Sequence, residues 1–297
     1  MALAPRAVVV HRRSELDLLL ERHATRGQAE FFLRSRGRDL ADVQARHDAL
    51  EHALRQVDSG IPADWRRAAV EREDLPRLRF DPEDVVIAVG QDGLVANVAK
   101  YLAGQPVVGV DPEPGRNPGV LVRHRSSTVG RVLAAVAAGT APAEHRCMVE
   151  AALDDGQQLR ALNEVYVGDP GHQSARYRLT PPDGRGPERQ SSSGVLVGTG
   201  TGSTGWCASL ARERASSPDL PGPLEERLAW FVREAWPSPA TGTSCTAGTF
   251  TGHERLQLVA EADLVIFGDG LESDRLHLTW GQQLTIGISR TQLTLLT

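Results

Sequence analysis

Asp92 is the side chain whose surroundings most invite chemistry. It lies in Gly90-Gln91-Asp92-Gly93, just after the β-branched run Val85–Val89 and just before Leu94, Val95, Val98 and Leu102 at helical spacing. A buried parallel strand, a glycine turn and a helix that starts at once make a ready phosphate seat. Glycine lets backbone N–H groups approach an anion, and the helix N-terminus adds positive partial charge. A carboxylate facing a polyphosphate is repelled unless it binds metal or takes a proton, so Asp92 marks either role. The same punctuation also serves as a plain turn in many α/β proteins.

Three other segments carry polar groups in suggestive patterns. Ser191-Ser192-Ser193-Gly194 leads through Val195–Val197 into Gly198-Thr199-Gly200-Thr201-Gly202-Ser203-Thr204-Gly205-Trp206. Alternating Gly and Ser/Thr supplies little to bury, so the tract reads as a loop whose exposed amides and hydroxyls wrap a polar, phosphorylated ligand. A short helix is expected from about Ser203, and Trp206 either stacks on a base or covers the core. Asn163 and Glu164 fall inside a strand pattern, Leu159–Val167, where an adjacent amide and acid are ordinarily solvated on alternate faces. Phe267-Gly268-Asp269-Gly270 ends an apolar run and reads by itself as a hairpin turn.

The remaining composition narrows the field. A chain of 297 residues, 40% hydrophobic and 24% charged, can bury one large core or two ordinary ones. A formal charge of −5 gives no reason to expect nucleic acid. All but one of the 33 basic residues are arginine, and the exception is Lys100, so no P-loop lysine exists. Cys147, Cys207 and Cys245 are odd in number and widely spaced, as reduced core thiols would be; no metal site is assigned. The apolar run Val8–Val10 is too short for a signal or a span, so a cytoplasmic protein without membrane contact is expected.

The elements that must position these groups change character along the chain. Up to about residue 142, strands (Ala7–Val10, Trp65–Arg72, Val85–Val89, Gln105–Val110) alternate with helical stretches, including 28–57 broken near Ser35–Gly37, and Thr128–Ala138. A rigid Pro- and Gly-rich loop, Asp111–Gly119, is expected at the C-terminal end of the fourth strand. Beyond it, His145–Leu153, Gln158–Val167, Ala175–Thr180, Gly194–Val197, Arg227–Glu234, Arg255–Glu261, Leu264–Phe267, Arg275–Thr279 and Gln283–Ser289 read as strands. The expected fold is therefore an α/β domain with a Rossmann-like parallel sheet over 1–142, then a mostly antiparallel β domain over 143–297. The last strands are free to pack back on the first domain.

Taken together and in this order, the four polar segments resemble the NAD kinase family. Its members carry GGDG, then NE, then a TPTGSTAY-like loop, then a late DG turn, and the match covers roughly residues 84–290. The mitochondrial-type branch is most similar. Its NPDP-like loop is resembled by Asp111-Pro112-Glu113-Pro114, and its NE-hydrophobic-hydrophobic-G by Asn163–Gly168 with one residue more. Its SSG and TGTGS are matched by Ser192–Gly194 and Thr199–Ser203, and its REP by Arg233-Glu234-Ala235.

The resemblance implies the two-domain fold shared by NAD and diacylglycerol kinases, and an ATP-dependent transfer of the γ-phosphate to the adenosine ribose 2′-hydroxyl of NAD. ATP and NAD would be substrates, Mg²⁺ would accompany ATP, and a homo-oligomer (dimer or tetramer) would form. Carried over by residue, Asp92 would orient or deprotonate the attacking hydroxyl, and Gly90, Gln91 and Gly93 would hold ATP phosphates. Asn163, Glu164, Thr199, Gly200, Thr201, Gly202, Ser203 and Trp206 would line the NAD side, with Ser193 and Asp269 as further candidates. Asp92→Asn would then lower turnover ~10²–10⁴-fold with little effect on folding.

Gln91 replaces the second glycine of GGDG, Ser193 stands where most bacterial relatives carry Asp, Gly205 replaces an alanine, and Cys207–Pro218 lacks the common GGP. These departures border the acceptor site. They keep two alternatives open: a kinase of another small polyol, sugar or nucleoside hydroxyl, and a non-catalytic nucleotide-binding regulator.

Overall fold

Every residue of Asp84–Val89 is buried in the computed structural model, as a strand with parallel neighbours on both sides requires. The structure describes residues 4–116 and 119–297. The first strands and helices run β1 (Arg6–His11), α1 (Glu15–His23), α2 (Arg26–Arg34), α3 (Leu40–Gly60), β2 (Arg66–Glu71), β3 (Asp84–Val89), α4 (Asp92–Ala99), β4 (Pro106–Asp111), β5 (His124–Arg125), α5 (Val129–Ala137) and β6 (Ala143–Arg146). Across the sheet the order is β2-β1-β3-β4, then the late strand Leu293–Leu296, then β6, with β5 paired to β4. Residues of α3 and α5 (Ala53, Val57, Val129, Leu133) share one apolar core with Val85, Ile87 and Val89 of β3. Arg6 anchors the start of β3, its Nε donating to Asp84 Oδ1 at 2.8 Å.

The later strands are β7 (Val149–Leu153), β8 (Gln158–Ala161), β9 (Glu164–Gly168), β10 (Ala175–Thr180), β11 (Glu188–Ser192) and β12 (Gly194–Gly198). After the helix α6 (Trp206–Arg212) come β13 (Arg227–Arg233), β14 (Ala247–Thr251), β15 (Leu256–Ala260), β16 (Leu264–Gly268), β17 (Leu276–Leu278), β18 (Gln283–Ile288) and β19 (Leu293–Leu296). They form two antiparallel sheets, ordered β11-β10-β15-β18-β7-β8 and β14-β13-β12-β9-β16-β17, whose inner faces share one core. Alternating burial along β7 and β10 is the mark of such strands.

By proximity of Cα atoms the chain divides into two compact units. One comprises Met1–Val98, Gln105–Glu144 and Thr294–Thr297, and the other Ala99–Gly104 and His145–Leu293. Among the described residues no helix is long and apolar enough to cross a membrane. The three cysteines are buried free thiols, and burial pushes Cys147 up to about 11 and Cys207 to about 12.

Several expected boundaries move. The strand read as His145–Leu153 is two, β6 and β7, and the one read as Gln158–Val167 is also two, β8 and β9. Strands β11 and β14 were not expected. In β14, Gly248 leaves room for the Trp230 ring, since a Cβ there would lie 2.7 Å from Trp230 Nε1. Of the loop expected over 111–119, Asn117 and Pro118 lie outside the described residues.

Candidate functional site

The first unit builds its site at the end of β3. Gly90 N donates to Val110 O at 3.0 Å, holding the turn against β4, and Leu94 N donates to Gln91 O at 2.8 Å as α4 begins. The Asp92 carboxylate does not point freely into solvent. Its Oδ2 accepts from Val120 N at 2.8 Å, and its Oδ1 accepts from Leu121 N and Val122 N at 2.9 and 3.0 Å. Two glycines permit this. A Cβ on Gly109 would collide with Leu121 O, and one on Gly119 would lie 2.7 Å from Asp92 Oδ1. Oδ1 therefore has both acceptor positions filled, and Oδ2 keeps one open. Gly90, Gln91, Asp92 and Gly93 line a cavity of about 270 Å³ with Asp111 and Glu113.

The second unit gathers three motifs that are far apart in sequence. Asp269 is the residue on which they meet. Its Oδ2 accepts from Leu162 N at 2.8 Å, and its Oδ1 accepts from Asn163 N at 2.7 Å and Glu164 N at 3.3 Å. Those bonds replace a sheet ladder, which is why the expected strand Leu159–Val167 breaks at residues 162–163. Asp269 sits at φ 52°, a conformation Asp tolerates better than most residues, and its own N–H donates to Glu164 O at 3.1 Å. The expected hairpin between β16 and β17 exists, and this residue of its connection does more than turn the chain.

The Gly/Thr tract closes on the same place. Thr199 N donates to Asn163 O at 2.8 Å, and Thr199 Oγ1 donates to Leu162 O at 2.5 Å. Ser203 Oγ donates to Thr199 O at 3.0 Å. The tract is largely buried, not the exposed loop its composition suggested, because its glycines sit against backbone. A Cβ on Gly200 would collide with Gly222 O, and one on Gly202 with Asn163 O. Gly200→Ala is therefore expected to destabilise the protein by about 3 kcal/mol or to prevent folding, which chemical denaturation would measure. Of the hydroxyls of Thr199, Thr201 and Ser203, only that of Thr201 is buried without a hydrogen-bond partner.

Two carboxylates in this cluster hold protons tightly. Burial, aided by the charge of Asp269, pushes Glu164 up to about 7. Burial pushes Asp269 to about 6 against its three N–H donors and the charge of Lys100. The unfolded chain releases the Glu164 proton near 4.5, so the folded state binds more protons between pH 4.5 and 7. Stability contributed by that proton is full below this window and is lost as pH rises through it. Glu164→Gln should flatten part of the fall, leaving the share of Asp269. Urea midpoints at pH 5 and pH 8 for both proteins would check this.

Lys100, the one lysine, is buried with Nζ 2.8 Å from Asp274 Oδ2, and Tyr101 OH donates to the same oxygen at 2.6 Å. Trp206 stacks on Tyr166 at 5.4 Å between centroids, and the Arg233 guanidinium lies 5.2 Å from the Trp206 ring. Of the two readings of Trp206, the structure draws it into the protein's own aromatic cluster, leaving less of its face for a base. Ser193 is exposed, and its carbonyl accepts from Tyr166 OH at 2.6 Å. Among the described residues no group of three or more His, Cys, Asp or Glu is placed to hold a metal.

Comparison with known proteins now bears on this geometry. The fold is that of an NAD kinase. A solved structure, an NAD kinase from Archaeoglobus fulgidus in complex with ATP, matches 98% of this chain and 93% of its own with a TM-score of 0.57 at 16% identity. In sequence the chain is 33% identical over 147 residues to an NAD kinase of Ralstonia nicotianae and 30% identical over 169 residues to one of Clostridium tetani. The matched regions cover 46% and 54% of this chain, and the chain spans only about half the length of these relatives, 48% and 57%. No family model matches. The sequence and fold comparisons thus support the NAD kinase family that the motifs resemble.

Proposed function

We propose that this chain is an ATP-dependent NAD kinase that phosphorylates the adenosine ribose 2′-hydroxyl of NAD to give NADP. The observation that carries the reading is the convergence of the Asn163-Glu164, Thr199–Ser203 and Asp269 segments on one another in the second unit. Kinship in sequence to two NAD kinases and in fold to a third supports it.

In the reaction the hydroxyl oxygen attacks the γ-phosphorus, the bond to the β-phosphate oxygen breaks, and ADP leaves with that electron pair. Mg²⁺ enters as part of the MgATP substrate and offsets phosphate charge. The open acceptor position on Asp92 Oδ2 takes or orients the hydroxyl proton, while three amides keep the carboxylate in place. On the acceptor side Asn163, Glu164 and the orphaned Thr201 hydroxyl are the groups left to bind the nucleotide. A mitochondrial-type lineage, a domain division near residue 142, a homo-oligomer and a cytoplasmic setting belong to the same proposal.

A second reading, a kinase of the same fold acting on another small hydroxyl compound, is favoured by the internal use of Thr199 and Ser203 and by the covered face of Trp206. One assay separates the two. NADP formed from NAD, ATP and Mg²⁺ supports the first, whereas ATP consumption only with a sugar, polyol or nucleoside supports the second. ATP and NAD binding with no turnover on any acceptor would leave a regulator.

A further inference from the structure

We propose that Arg12 and Arg72 form a guanidinium pair that grips the phosphate chain of the phosphoryl donor, taking the part a P-loop lysine plays elsewhere. The inference deepens the kinase reading above and rests on it for the identity of the donor.

Arg12 follows β1 and Arg72 follows β2, so both leave the carboxyl ends of strands. The order β2-β1-β3-β4 reverses direction at β1, which makes the crevice between the ends of β1 and β3 the switch point where open parallel sheets take ligands. The Gly90–Gly93 turn, at the end of β3, lines a neighbouring cavity and approaches the pair at Gly93. A Cβ on Gly93 would lie 3.5 Å from Arg12 Nη2, so the guanidinium rests against the first turn of α4, whose N–H groups also favour an anion.

The charge arrangement is the deciding feature. Arg12 Nη2 donates to Asn97 Oδ1 at 3.0 Å and Arg72 Nη1 donates to the same oxygen at 3.4 Å. Two like charges are thus held together on one neutral amide, at a cost that a bound anion would remove. The carboxylates lining the same hollow of about 260 Å³ are Glu15, Glu71 and Glu73. Glu15 pairs with Arg38 and Arg46, and Glu71 lies 4.0 Å from Arg13, which also binds Glu21. Glu73 is exposed. Among the described residues neither Arg12 nor Arg72 has a carboxylate within 4.0 Å. A guanidinium pair beside the first turn of α4 matches a run of phosphates, whether the end of a nucleoside triphosphate or of inorganic polyphosphate.

Titration calorimetry with inorganic tripolyphosphate tests the site without any turnover. The parent should bind it, Arg12→Ala and Arg72→Ala should each weaken binding about tenfold, and the double variant more. Asn97→Asp, which keeps both arginines and gives them a carboxylate, should also weaken it. Unchanged thermal melting of the arginine variants keeps the comparison valid, since Arg12 is exposed and Arg72 half-buried. If NADP is formed, KM for ATP should rise with little change in KM for NAD; parallel assays with ATP and with polyphosphate as donor identify which is gripped. Arginine-dependent tripolyphosphate binding without NADP formation would sustain the site while removing the acceptor assignment. No binding by the parent, or parental affinity in the double variant or in Asn97→Asp, overturns the proposal.

Discussion

Asp92→Asn is expected to lower NADP formation ~10²–10⁴-fold, the range a positioned base contributes. The sequence alone suggested that folding would hardly notice, and the structure changes that expectation. Asn can keep its oxygen toward Leu121 N and Val122 N, but its amide nitrogen then meets Val120 N–H, donor against donor. One backbone N–H loses its acceptor, which costs about 1 kcal/mol here because Val120 is exposed and water can replace the bond. Turnover and urea stability must therefore be measured on the same protein. A large drop in turnover with a small drop in stability assigns Asp92 to the proton. Full turnover with reduced stability would make it a clamp for residues 120–122 and nothing more.

Asp269→Ala should cost more in stability. Three N–H groups, of Leu162, Asn163 and Glu164, lose one charged acceptor at once, and alanine tolerates φ 52° poorly. About 3 kcal/mol or more is expected, short of the sum of three separate bonds because water can reach part of the segment. Asp269→Asn retains the turn conformation and one carbonyl oxygen, so it should fall between parent and alanine variant. Since the same bonds set the break that presents Asn163 and Glu164, KM for NAD should rise in both variants, more in alanine. Urea unfolding together with KM for NAD and for ATP would check the pair. A variant as stable as the parent would show that the 162–164 turn holds itself.

What could be read beforehand and what could not divides along a physical line. Strand β3 was legible because its burial on both faces demands an unbroken apolar run, and α4 because its spacing is local. The break between β8 and β9 was not, since its cause is a carboxylate that follows far along the chain. Strand β11 hid for a similar reason. Its buried Gln190 and Ser192 look like loop residues until Tyr177 OH is seen bonded to both, at 3.2 and 2.7 Å. The Gly/Thr tract stood out in the sequence, but its hydroxyls looked like ligand contacts when two of them bond within the fold. Arg12 and Arg72 were masked by abundance. In a chain whose basic residues are nearly all arginine, composition cannot distinguish a charge without a counter-ion from one that has it.

Strand β19 has a bearing on how the protein is made. It lies between β4 and β6 in the first sheet, with Thr294 paired to Pro106 and Leu295 to Val107, yet it emerges from the ribosome only after the entire second unit. During synthesis the Pro106–Val107 part of the β4 edge must wait, unpaired and apolar, for a strand translated only after the second unit. The second unit can close first, and the first is completed only after translation has passed residue 296. A nascent chain stalled before that point would carry a template for aberrant strand pairing, the kind of surface that chaperones shield.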